Sequence, residues 1–474
     1  MNTKPGPAHF LHTALQNLPF EPNRGQLQCL EMLSDFVIAG GDRSLFILKG
    51  YAGTGKTSLV SAITRALPGV RQRSVLMAPT GRAAKVLSAY AKMPAQTIHR
   101  KIFKTATSPD GGLFMSLAEN LHRNTVFIVD EAAMMGADMG CESLFNNLLE
   151  NLFEYVYSGD NCKLLLIGDT AQLPPVGSSI SPALDQAYLK NAFYLNITQC
   201  ELTEVARQRL ESGILLNATR IREGISSEVF ELPRLKPHSD LQNLTGEELE
   251  DTLQNTIREY GEDNVLIVTR SNKRAGLFNQ SYRNRIKLFE EDLCAGDKIM
   301  IVKNNYYWLP ENNSETTFIA NGDMAEIMRI RRRETLYGFN FCDCVIRLTD
   351  YPALPEQEVK IMTDTLFSDS PALSPADQQR LHEMIMEDVA GEPSRALRAA
   401  YLKKSPYYNA LQVKFSYAIT CHKAQGGQWP AVFIDQGFLP PDGVNRELAR
   451  WLYTALTRAT EKVYLINFSP QLVE

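Results

Sequence analysis

The eight residues "GYAGTGKT", from Gly50 to Thr57, constrain the fold of this chain more than any other stretch. An apolar run, "SLFILKG", ends at Gly50, and "SLVSAITRAL" follows the motif with the apolar spacing of a helix. The glycines let backbone N–H groups turn inward around a phosphate, Lys56 adds a positive charge, and Thr57 offers a hydroxyl to Mg²⁺. The sequence therefore predicts a strand, a phosphate-binding loop and a helix.

Two later apolar runs end in polar groups of the kind that nucleotide hydrolysis requires. In "TVFIVDEAAMM", Asp130 would hold Mg²⁺, and Glu131 would orient and deprotonate an attacking water. In "KLLLIGDTAQLPPVG", Gln172 would contact the γ-phosphate or a water, and a turn glutamine before two prolines is the alternative. Because ligands of open parallel sheets bind at the carboxyl ends of the strands, we expect these groups on one edge.

Two further segments contain candidate binding residues. "SVLMAPTGRAAKVL" is another strand-to-helix junction, and Thr80, Gly81 and Arg82 follow its strand, so they could line a groove. In "FEPNRGQLQCLEML", Gln26 could contact the edge of an adenine and Phe20 could stack on the base. A surface glutamine is the alternative for Gln26.

The second half of the chain repeats the apolar strands but contains no second phosphate loop. A sheet unit of this kind can close over a nucleotide that its neighbour holds. Arg458 would then stabilise charge on the γ-phosphate, as an arginine finger does, and Arg207 is a second candidate. A surface ion pair is the alternative for each arginine. The predicted strands, apolar and β-branched as buried parallel strands should be, are Val265–Thr269, Phe415–Thr420, Ala431–Asp435 and Val463–Asn467.

Bulk composition sets broad limits on the class of protein. A chain of 474 residues is too long for one hydrophobic core, and 44% hydrophobic residues are ordinary for a globular protein. The net charge of −5 argues against a general nucleic-acid coat protein but is compatible with a local binding groove. No run of about 18 apolar residues and no secretion-type apolar segment occurs, so we expect a cytoplasmic protein outside any membrane. The eight scattered cysteines are expected to be reduced thiols.

The ordered set of motifs resembles superfamily 1B DNA helicases, particularly the RecD-like and Dda-like group. The motif order and approximate spacing match that family, which is more specific than any one motif. The resemblance implies an α/β P-loop NTPase with two RecA-like parallel-sheet motor domains, ATP and Mg²⁺ between them, and single-stranded DNA across both. The motifs are "GYAGTGKT", "APTGRAAKVL", "TIH", "IVDEAAMM", "GDTAQLPPVG", "LTEVARQ", "YAITCHKAQGGQW" and "YTALTRA".

The resemblance also implies roles for individual residues. The implied catalytic set is Lys56, Asp130, Glu131, Gln172, Arg207 and Arg458. The implied nucleotide-binding set is Phe20, Gln26, Gly53, Thr54, Gly55, Lys56, Thr57 and Gly426, with Thr57 and Asp130 on the metal. The implied DNA-binding set is Pro79, Thr80, Gly81, Arg82, His99, Phe114, Val176, Thr420, His422 and Lys423. Neutral histidines and hydroxyls can donate to phosphate oxygens, although a lone histidine is more often structural.

Two insertions are predicted. "SPDGG", between two β-capable stretches of Thr97–Asn124, predicts a β-hairpin, which in the resembled family is a pin at the duplex fork. Phe114 or Leu113 would stack on the last base pair, and packing onto its own domain is the alternative. Alternating runs between Asp297 and Thr349 look like the small β-barrel of RecD-like enzymes. A basic cluster there would guide DNA or form a solvated strand face, and its members are Arg329, Arg331, Arg332 and Arg333.

We therefore expect an N-terminal RecA-like ATP-binding domain over residues 1–215, with the hairpin near residues 100–123. A C-terminal RecA-like domain would cover residues 216–474, with a β-barrel and helical insertion near residues 291–408. The expected activity is ATP-dependent DNA unwinding, with 5′→3′ travel implied only by the resemblance. The alternatives are a DNA-dependent ATPase or translocase subunit of a repair or recombination complex, without unwinding of its own, and a non-catalytic DNA-binding scaffold. We expect a monomer that acts on single-stranded DNA and duplex junctions, with repair or replication proteins as candidate partners.

Overall fold

The computed structural model describes residues 6–107, 113–136, 148–205, 212–309, 318–440 and 443–474, without the side chains of residues 105–107, 113–115 and 395–396. Two units, each a parallel β-sheet covered by helices, follow one another along the chain. A β-hairpin is inserted in the first unit and a closed β-barrel in the second. The predicted fold class, two RecA-like parallel-sheet units with these two insertions, is confirmed.

The first unit alternates strands and helices, as a parallel sheet with crossover connections requires. Its described elements are, in chain order, α1 (Pro7–Gln16), α2 (Arg24–Ala39), β1 (Ser44–Gly50), α3 (Lys56–Ala66), β2 (Arg73–Ala78), α4 (Gly81–Ala91), β3 (Ala95–Thr97), α5 (Ile98–Ile102), β4 (Phe103–Thr107), β5 (Leu113–Leu117), β6 (Arg123–Val129), α6 (Leu148–Tyr157), β7 (Asp160–Gly168), α7 (Gln186–Phe193) and β8 (Asn196–Leu202).

The first sheet has the strand order β3-β2-β6-β7-β1-β8, and all neighbouring strands are parallel. Strand β7 therefore lies between β1 and β6. The apolar runs of β1 and β7 are fully buried, because helices cover both faces of the sheet. As a result, the segments that follow Gly50, Val129 and Gly168 leave the sheet side by side on one edge.

The predicted hairpin is formed by β4 and β5, which pair antiparallel with Ala106 opposite Phe114. Residues 108–112, which are the whole of the "SPDGG" turn, lie outside the described residues. The side chain of Phe114 also lies outside them, so its predicted contact at a fork stays a prediction.

The second unit contains the second sheet and the barrel. Its described elements are α8 (Gly213–Ser226), β9 (Leu241–Leu244), α9 (Leu249–Tyr260), β10 (Val265–Thr269), α10 (Asn272–Tyr282), β11 (Lys298–Ile301), β12 (Met324–Leu336), β13 (Phe339–Leu348), β14 (Gln357–Met362), α11 (Asp364–Phe367), α12 (Pro375–Glu387), α13 (Arg395–Lys404), β15 (Leu411–Phe415), β16 (Ala418–Thr420), α14 (Cys421–Ala424), β17 (Trp429–Asp435), α15 (Arg446–Leu456) and β18 (Ala459–Ile466).

The second sheet has the parallel order β16-β10-β17-β18-β9. Helix α8 packs in the same core as this sheet, since Ile214 and Ile221 cluster with Val432 and Leu452. We therefore propose that the boundary between the units lies before Gly213 rather than at residue 215.

The barrel consists of β11, β12, β13, β14 and β15. Its last strand, β15, begins at Leu411, three residues beyond the predicted end of the insertion at residue 408. The predicted continuous strand Phe415–Thr420 is wrong in one respect: Phe415 ends β15, and a new strand, β16, begins at Ala418. The chain must turn at Ser416 and Tyr417 to leave the barrel and enter the second sheet.

A buried ion pair fixes this junction between the barrel and the second sheet. Arg283, in the π-helical turn after α10, donates to both carboxylate oxygens of Asp297, at 2.8 and 2.9 Å. The hydroxyl of Tyr417 donates to the same carboxylate at 3.1 Å, and the Cys294 amide donates at 2.7 Å. Asp297 is fully buried, so these bonds offset the cost of removing its charge from water.

The structure also bears on the expectations about membrane spans and cysteines. In the described part of the chain, no helix combines the length and apolarity that crossing a membrane requires. The cysteines of that part are free thiols: Cys29, Cys162, Cys200, Cys294, Cys342, Cys344 and Cys421.

Replacing Asp297 with asparagine is expected to lower the free energy of unfolding by about 3–5 kcal/mol, because it leaves the buried Arg283 guanidinium without a countercharge. The measurement is urea denaturation followed by circular dichroism. As a control, Arg329→Ala removes an exposed ion pair with Glu356, at 3.0 Å, and should cost less than about 1 kcal/mol. Equal losses in the two variants would contradict an anchoring role for Asp297.

Candidate nucleotide site between the two sheets

The loop between β1 and α3 has the backbone shape of a phosphate cradle. Gly53 and Gly55 have φ values of +76° and +87°, in the left-handed region that glycine adopts without strain. Gly55 also has no room for a side chain, since a Cβ there would lie 2.6 Å from Nε2 of Gln26. Helix α3 begins at Lys56, so its N-terminal amides and partial positive charge face the loop.

Lys56 lies on the inner side of the loop. Its Nζ donates to the carbonyl oxygens of Gly50, at 2.6 Å, and Tyr51, at 2.9 Å. The same nitrogen lies 4.0 Å from Oδ2 of Asp169, at the end of the neighbouring strand β7. The ammonium group therefore stands between the loop and the end of β7, where an incoming phosphate would replace carbonyl partners.

Asp130 and Glu131 follow β6 on the same edge of the sheet. Oδ1 of Asp130 accepts from the Glu131 amide at 2.8 Å. Burial, together with the neighbouring Glu131 carboxylate, raises the pKa of Asp130 to about 6. Glu131 has a φ of +52°, a strained conformation for a residue with a side chain. Such strain persists where the surroundings impose it, as they often do at functional sites.

Gln172 is buried, with 6% of its surface exposed, and its Oε1 has no hydrogen-bond partner among the described residues. A buried acceptor without a donor costs free energy, so such an atom calls for a ligand or a water. A water that attacks a γ-phosphate could supply that donor. The residues on this edge therefore fit a nucleoside triphosphate with Mg²⁺.

Gln26 holds the phosphate loop from the other side. It is 2% exposed, so the surface-glutamine alternative is wrong. Its Oε1 accepts from the Asn23 amide at 3.0 Å, in a capping box at the start of α2, and its Nε2 donates to the Thr54 carbonyl at 2.9 Å. Phe20 lies beside the same loop, with Cζ 3.6 Å from the Cβ position of Gly55. Both ends of the Gln26 amide are therefore engaged by protein.

The segment Asp169–Leu173, which follows β7, is held by side chains of the second unit. We call this contact the inter-unit seam. Its second-unit members are Gln425, Arg450, Tyr453 and Thr454.

The bonds of the seam join the segment to α15 and to the loop after α14. Oγ1 of Thr454 accepts from the Leu173 amide at 2.9 Å, and Nε2 of Gln425 donates to the Leu173 carbonyl at 2.8 Å. Nη1 of Arg450 donates to the Gln172 carbonyl at 3.3 Å and also to the Thr170 carbonyl. The seam therefore places the edge of the first sheet against the second unit.

Sequence analysis missed Arg450, Tyr453 and Thr454. Their spacing of i, i+3 and i+4 puts them on one face of α15. In this helix every residue from Trp451 to Leu456 is buried. In the sequence, the run "WLYTAL" places apolar residues on more than one side of the helix, and this pattern was a usable signal that α15 is covered by a second unit.

Arg458 is engaged inside the second unit. Its guanidinium donates to the carbonyl oxygens of Thr454 and Gly427, both at 3.0 Å, and to Oγ1 of Thr457 at 3.2 Å. Only 3% of Arg458 is exposed, so the surface ion pair considered as its alternative is wrong. None of these bonds reaches the phosphate loop. Arg207 lies outside the described residues.

Another arginine that the sequence did not single out lies nearer the loop. The guanidinium of Arg222, on α8, lies over the ring of Tyr51 at 4.5 Å. Arg222 also donates to the Thr203 carbonyl at 3.0 Å. Together with Arg450, it brings positive charge from the second unit to the side of the phosphate loop.

The start of α4 forms a second contact between the units. The guanidinium of Arg82 lies 3.8 Å from the ring centre of Trp429, a cation–π contact. Gly426, with φ +74°, approaches so closely that a Cβ would lie 2.7 Å from Ala83 and 3.4 Å from Oγ1 of Thr80. Gly426 was expected on the nucleotide, but these close contacts are with α4.

The barrel also reaches α4. A Cβ on Gly81 would lie 2.7 Å from Oδ1 of Asp323 and 3.1 Å from the Tyr351 hydroxyl. Nζ of Lys85 donates to the Thr349 carbonyl at 3.3 Å. The barrel of the second unit therefore lies beside Thr80 and Gly81, over which single-stranded DNA is predicted to pass.

The two predicted DNA-contacting histidines are half-buried. Burial lowers the pKa of His99 to about 4 and also lowers the pKa of His422, so both are neutral near pH 7. Burial lowers the pKa of Lys423 to about 8, and its Nζ donates to Oδ1 of Asn321 at 2.5 Å. Thr420 precedes these two residues at the end of β16. The two neutral histidines, and Lys423 with its lowered pKa, are groups that can donate hydrogen bonds to phosphate oxygens.

The remaining candidates have different surroundings. Val176 is 82% exposed, in the loop after β7, and Pro79 is half-buried before α4. The basic cluster of the barrel is paired with acids, which favours its interpretation as a solvated strand face. Its pairs are Arg329–Glu356, Arg331–Glu358, Arg332–Glu334 and Arg333–Glu291.

Each of the two units contains residues that match a known family. Residues 23–242 match the AAA domain family, and residues 415–466 match the UvrD-like helicase C-terminal domain family. The first match contains the phosphate loop and the ends of the first sheet. The second contains β16, α15 and Arg458.

Two relatives of this chain are named as DNA helicases. The ATP-dependent DNA helicase Dda of Enterobacteria phage T4 is 28% identical over 54% of this chain and 55% of its own length. The ATP-dependent RecD2 DNA helicase of Deinococcus radiodurans is 24% identical over 89% of this chain, which spans 46% of that relative. A crystal structure of Pif1 helicase from Bacteroides with ADP-AlF3 and single-stranded DNA shares 15% identity over 94% of each chain, with a TM-score of 0.46. By its motifs, its domain matches and these relatives, the chain is similar to superfamily 1B helicases of the Pif1-, RecD- and Dda-like group.

Proposed function

We propose that this chain is an ATP-dependent DNA helicase that moves 5′→3′ along single-stranded DNA. The observation that carries the proposal is the phosphate-loop edge of the first sheet, which the second unit covers at the inter-unit seam. A nucleotide on that edge would contact both units, which is the arrangement a motor needs. Dda and RecD2, whose names describe them as ATP-dependent DNA helicases, support the activity, and the resemblance to superfamily 1B supports the direction.

The chain's own residues divide the work of hydrolysis. Lys56 would leave the carbonyls of Gly50 and Tyr51 to bind the β- and γ-phosphates. Glu131 would accept a proton from the attacking water, and Oε1 of Gln172 would accept its hydrogen bond. Mg²⁺, held by Thr57 and Asp130, would neutralise phosphate charge.

We propose that Arg458 is the arginine finger of a closed state. Its guanidinium is held by carbonyl oxygens, which are weaker partners than a phosphate. Closure of the units around a nucleotide would let it exchange these carbonyls for the γ-phosphate. Arg207, which precedes α8 in the sequence, is proposed as a second contact.

The proposed DNA path crosses both units. Thr80 and His99 lie on the first unit, and Thr420, His422 and Lys423 lie on the second. Because each unit holds the strand, opening and closing of the units would move one set of contacts relative to the other. We propose that the hairpin β4–β5 meets the duplex junction ahead of this path.

Lys56→Ala is expected to abolish ATP hydrolysis, with a loss in kcat of at least about a hundredfold, because the loop loses its charge-assisted phosphate donor. Release of inorganic phosphate with and without a single-stranded oligonucleotide measures it. Lys190→Ala, which removes an exposed lysine on α7, is the control and should turn over like the wild type. Hydrolysis by Lys56→Ala near the wild-type rate would refute the site assignment.

Duplexes with a 5′ or a 3′ single-stranded tail test the direction and the coupling. Strand displacement is expected from the 5′-tailed substrate only, because a motor that moves 5′→3′ must load on that tail. ATP turnover is followed in the same tube. Displacement from the 3′ tail alone would reverse the proposed direction. Turnover without displacement of either substrate would favour the translocase-subunit alternative.

Phe114→Ala is expected to retain DNA-stimulated ATP turnover and to lose unwinding. A stack between an aromatic ring and a base contributes about 1–3 kcal/mol, which is comparable to opening one base pair. Strand displacement at saturating ATP measures the effect. Tyr194→Ala, which removes an aromatic side chain that is 86% exposed elsewhere on the first unit, is the matched control. Unchanged unwinding by Phe114→Ala would remove the pin hypothesis.

A further inference from the structure

The side chain of Tyr453 crosses from the second unit to the phosphate loop itself. Its hydroxyl accepts from the backbone N–H of Ala52 at 2.8 Å. The same hydroxyl donates to Oδ2 of Asp169 at 2.6 Å. Ala52 belongs to the loop "GYAGTGKT", and Asp169 follows β7. One oxygen atom of the second unit therefore joins two elements of the nucleotide site.

Asp169 extends this link to Lys56. The carboxylate oxygen that accepts the hydrogen bond from the Tyr453 hydroxyl is the one that lies 4.0 Å from Lys56 Nζ. Its other oxygen accepts from the Ala171 amide at 2.9 Å, which fixes the orientation of the carboxylate. A change in the position of Tyr453 would therefore alter the surroundings of both a loop amide and the loop lysine.

The surroundings of Tyr453 keep its hydroxyl a hydrogen-bond donor to Asp169. Tyr453 and Asp169 are both 1% exposed. Burial raises the pKa of the Tyr453 hydroxyl well above its usual range, so the group stays protonated and donates to the carboxylate. A hydrogen bond to a buried carboxylate is among the stronger ones in proteins.

The hydrogen bonds made by Thr454 and Arg450 across the seam do not reach the phosphate loop. Thr454, the next residue, bonds the Leu173 amide, and Arg450 bonds the carbonyls of Thr170 and Gln172. Those partners lie in the segment after β7 and not in the phosphate loop. Within the described residues, Tyr453 is the seam member that is hydrogen-bonded to a group of the loop.

We propose that Tyr453 is a positioning residue through which the second unit controls the phosphate loop. Its hydroxyl holds the Ala52 amide and the Asp169 carboxylate in place, and movement of α15 is transmitted to the loop through these two bonds. This inference rests on the proposed ATP hydrolysis. It adds a second-unit hydroxyl to the groups that set the geometry of the phosphate loop, without placing it on the reacting atoms.

Tyr453→Phe tests the proposal, because it keeps the ring and removes the hydroxyl. We expect the stimulation of ATP turnover by single-stranded DNA to fall at least about tenfold, since the loop no longer follows the second unit. The affinity for ADP, measured by calorimetry, should change by less than about threefold, because the loop's own glycines and lysine remain. The thermal unfolding midpoint checks that the variant is folded.

Thr454→Val is the matched control. It removes a hydrogen bond between the same helix and the first unit but leaves the phosphate loop untouched. Its stimulation by DNA should stay within about threefold of the wild type. An equal loss in Thr454→Val would mean that the seam merely holds the units together, and normal stimulation of Tyr453→Phe would also overturn the proposal. Absence of ATP turnover in the wild type would overturn the proposed function and this inference together.

Discussion

A buried carboxylate, that of Asp169, is the group on which the arrangement of the two units depends. Removing a carboxylate from water costs free energy unless hydrogen bonds compensate it. The first unit supplies one donor, the Ala171 amide, and the second unit supplies the Tyr453 hydroxyl. Separation of the units would leave this carboxylate under-satisfied in a site that also holds Lys56. The geometry of the nucleotide edge and the contact between the units are therefore parts of one hydrogen-bonded arrangement.

The strand order of the first sheet makes this arrangement possible. Because β7 lies between β1 and β6, Asp169 follows a strand that is adjacent to both the phosphate loop and the Asp130–Glu131 pair. A helix of the second unit that contacts Asp169 is therefore close to both the phosphate loop and the acid pair. Helix α15 contacts the segment Asp169–Leu173 with three side chains on one face. The position of the seam thus follows from the strand order of the first sheet.

Much of the fold and of the candidate site followed from local patterns. The phosphate loop, the acid pair and the apolar strands are encoded in runs of about ten residues, so spacing and residue type sufficed. The partners of Tyr453 and Arg458 could not be predicted in this way. Tyr453 and Asp169 are 284 residues apart, and no local pattern indicates which distant polar group meets a buried tyrosine. Likewise, the Gln26 side chain suggested a ligand contact, whereas its amide is divided between a helix cap and the Thr54 carbonyl.

The connection between the barrel and the second sheet has a mechanical consequence. Only Ser416 and Tyr417 separate β15 from β16, and the Tyr417 hydroxyl is bound to Asp297 at the root of the barrel. Among the described residues, this short and hydrogen-bonded connection would limit bending between the barrel and its sheet. The barrel strand β12 has 13 residues and is about 40 Å long at the usual rise per residue. A tilt of the barrel by ten degrees would move the far end of this strand by about 7 Å, so the strand length sets how far a given tilt displaces the tip.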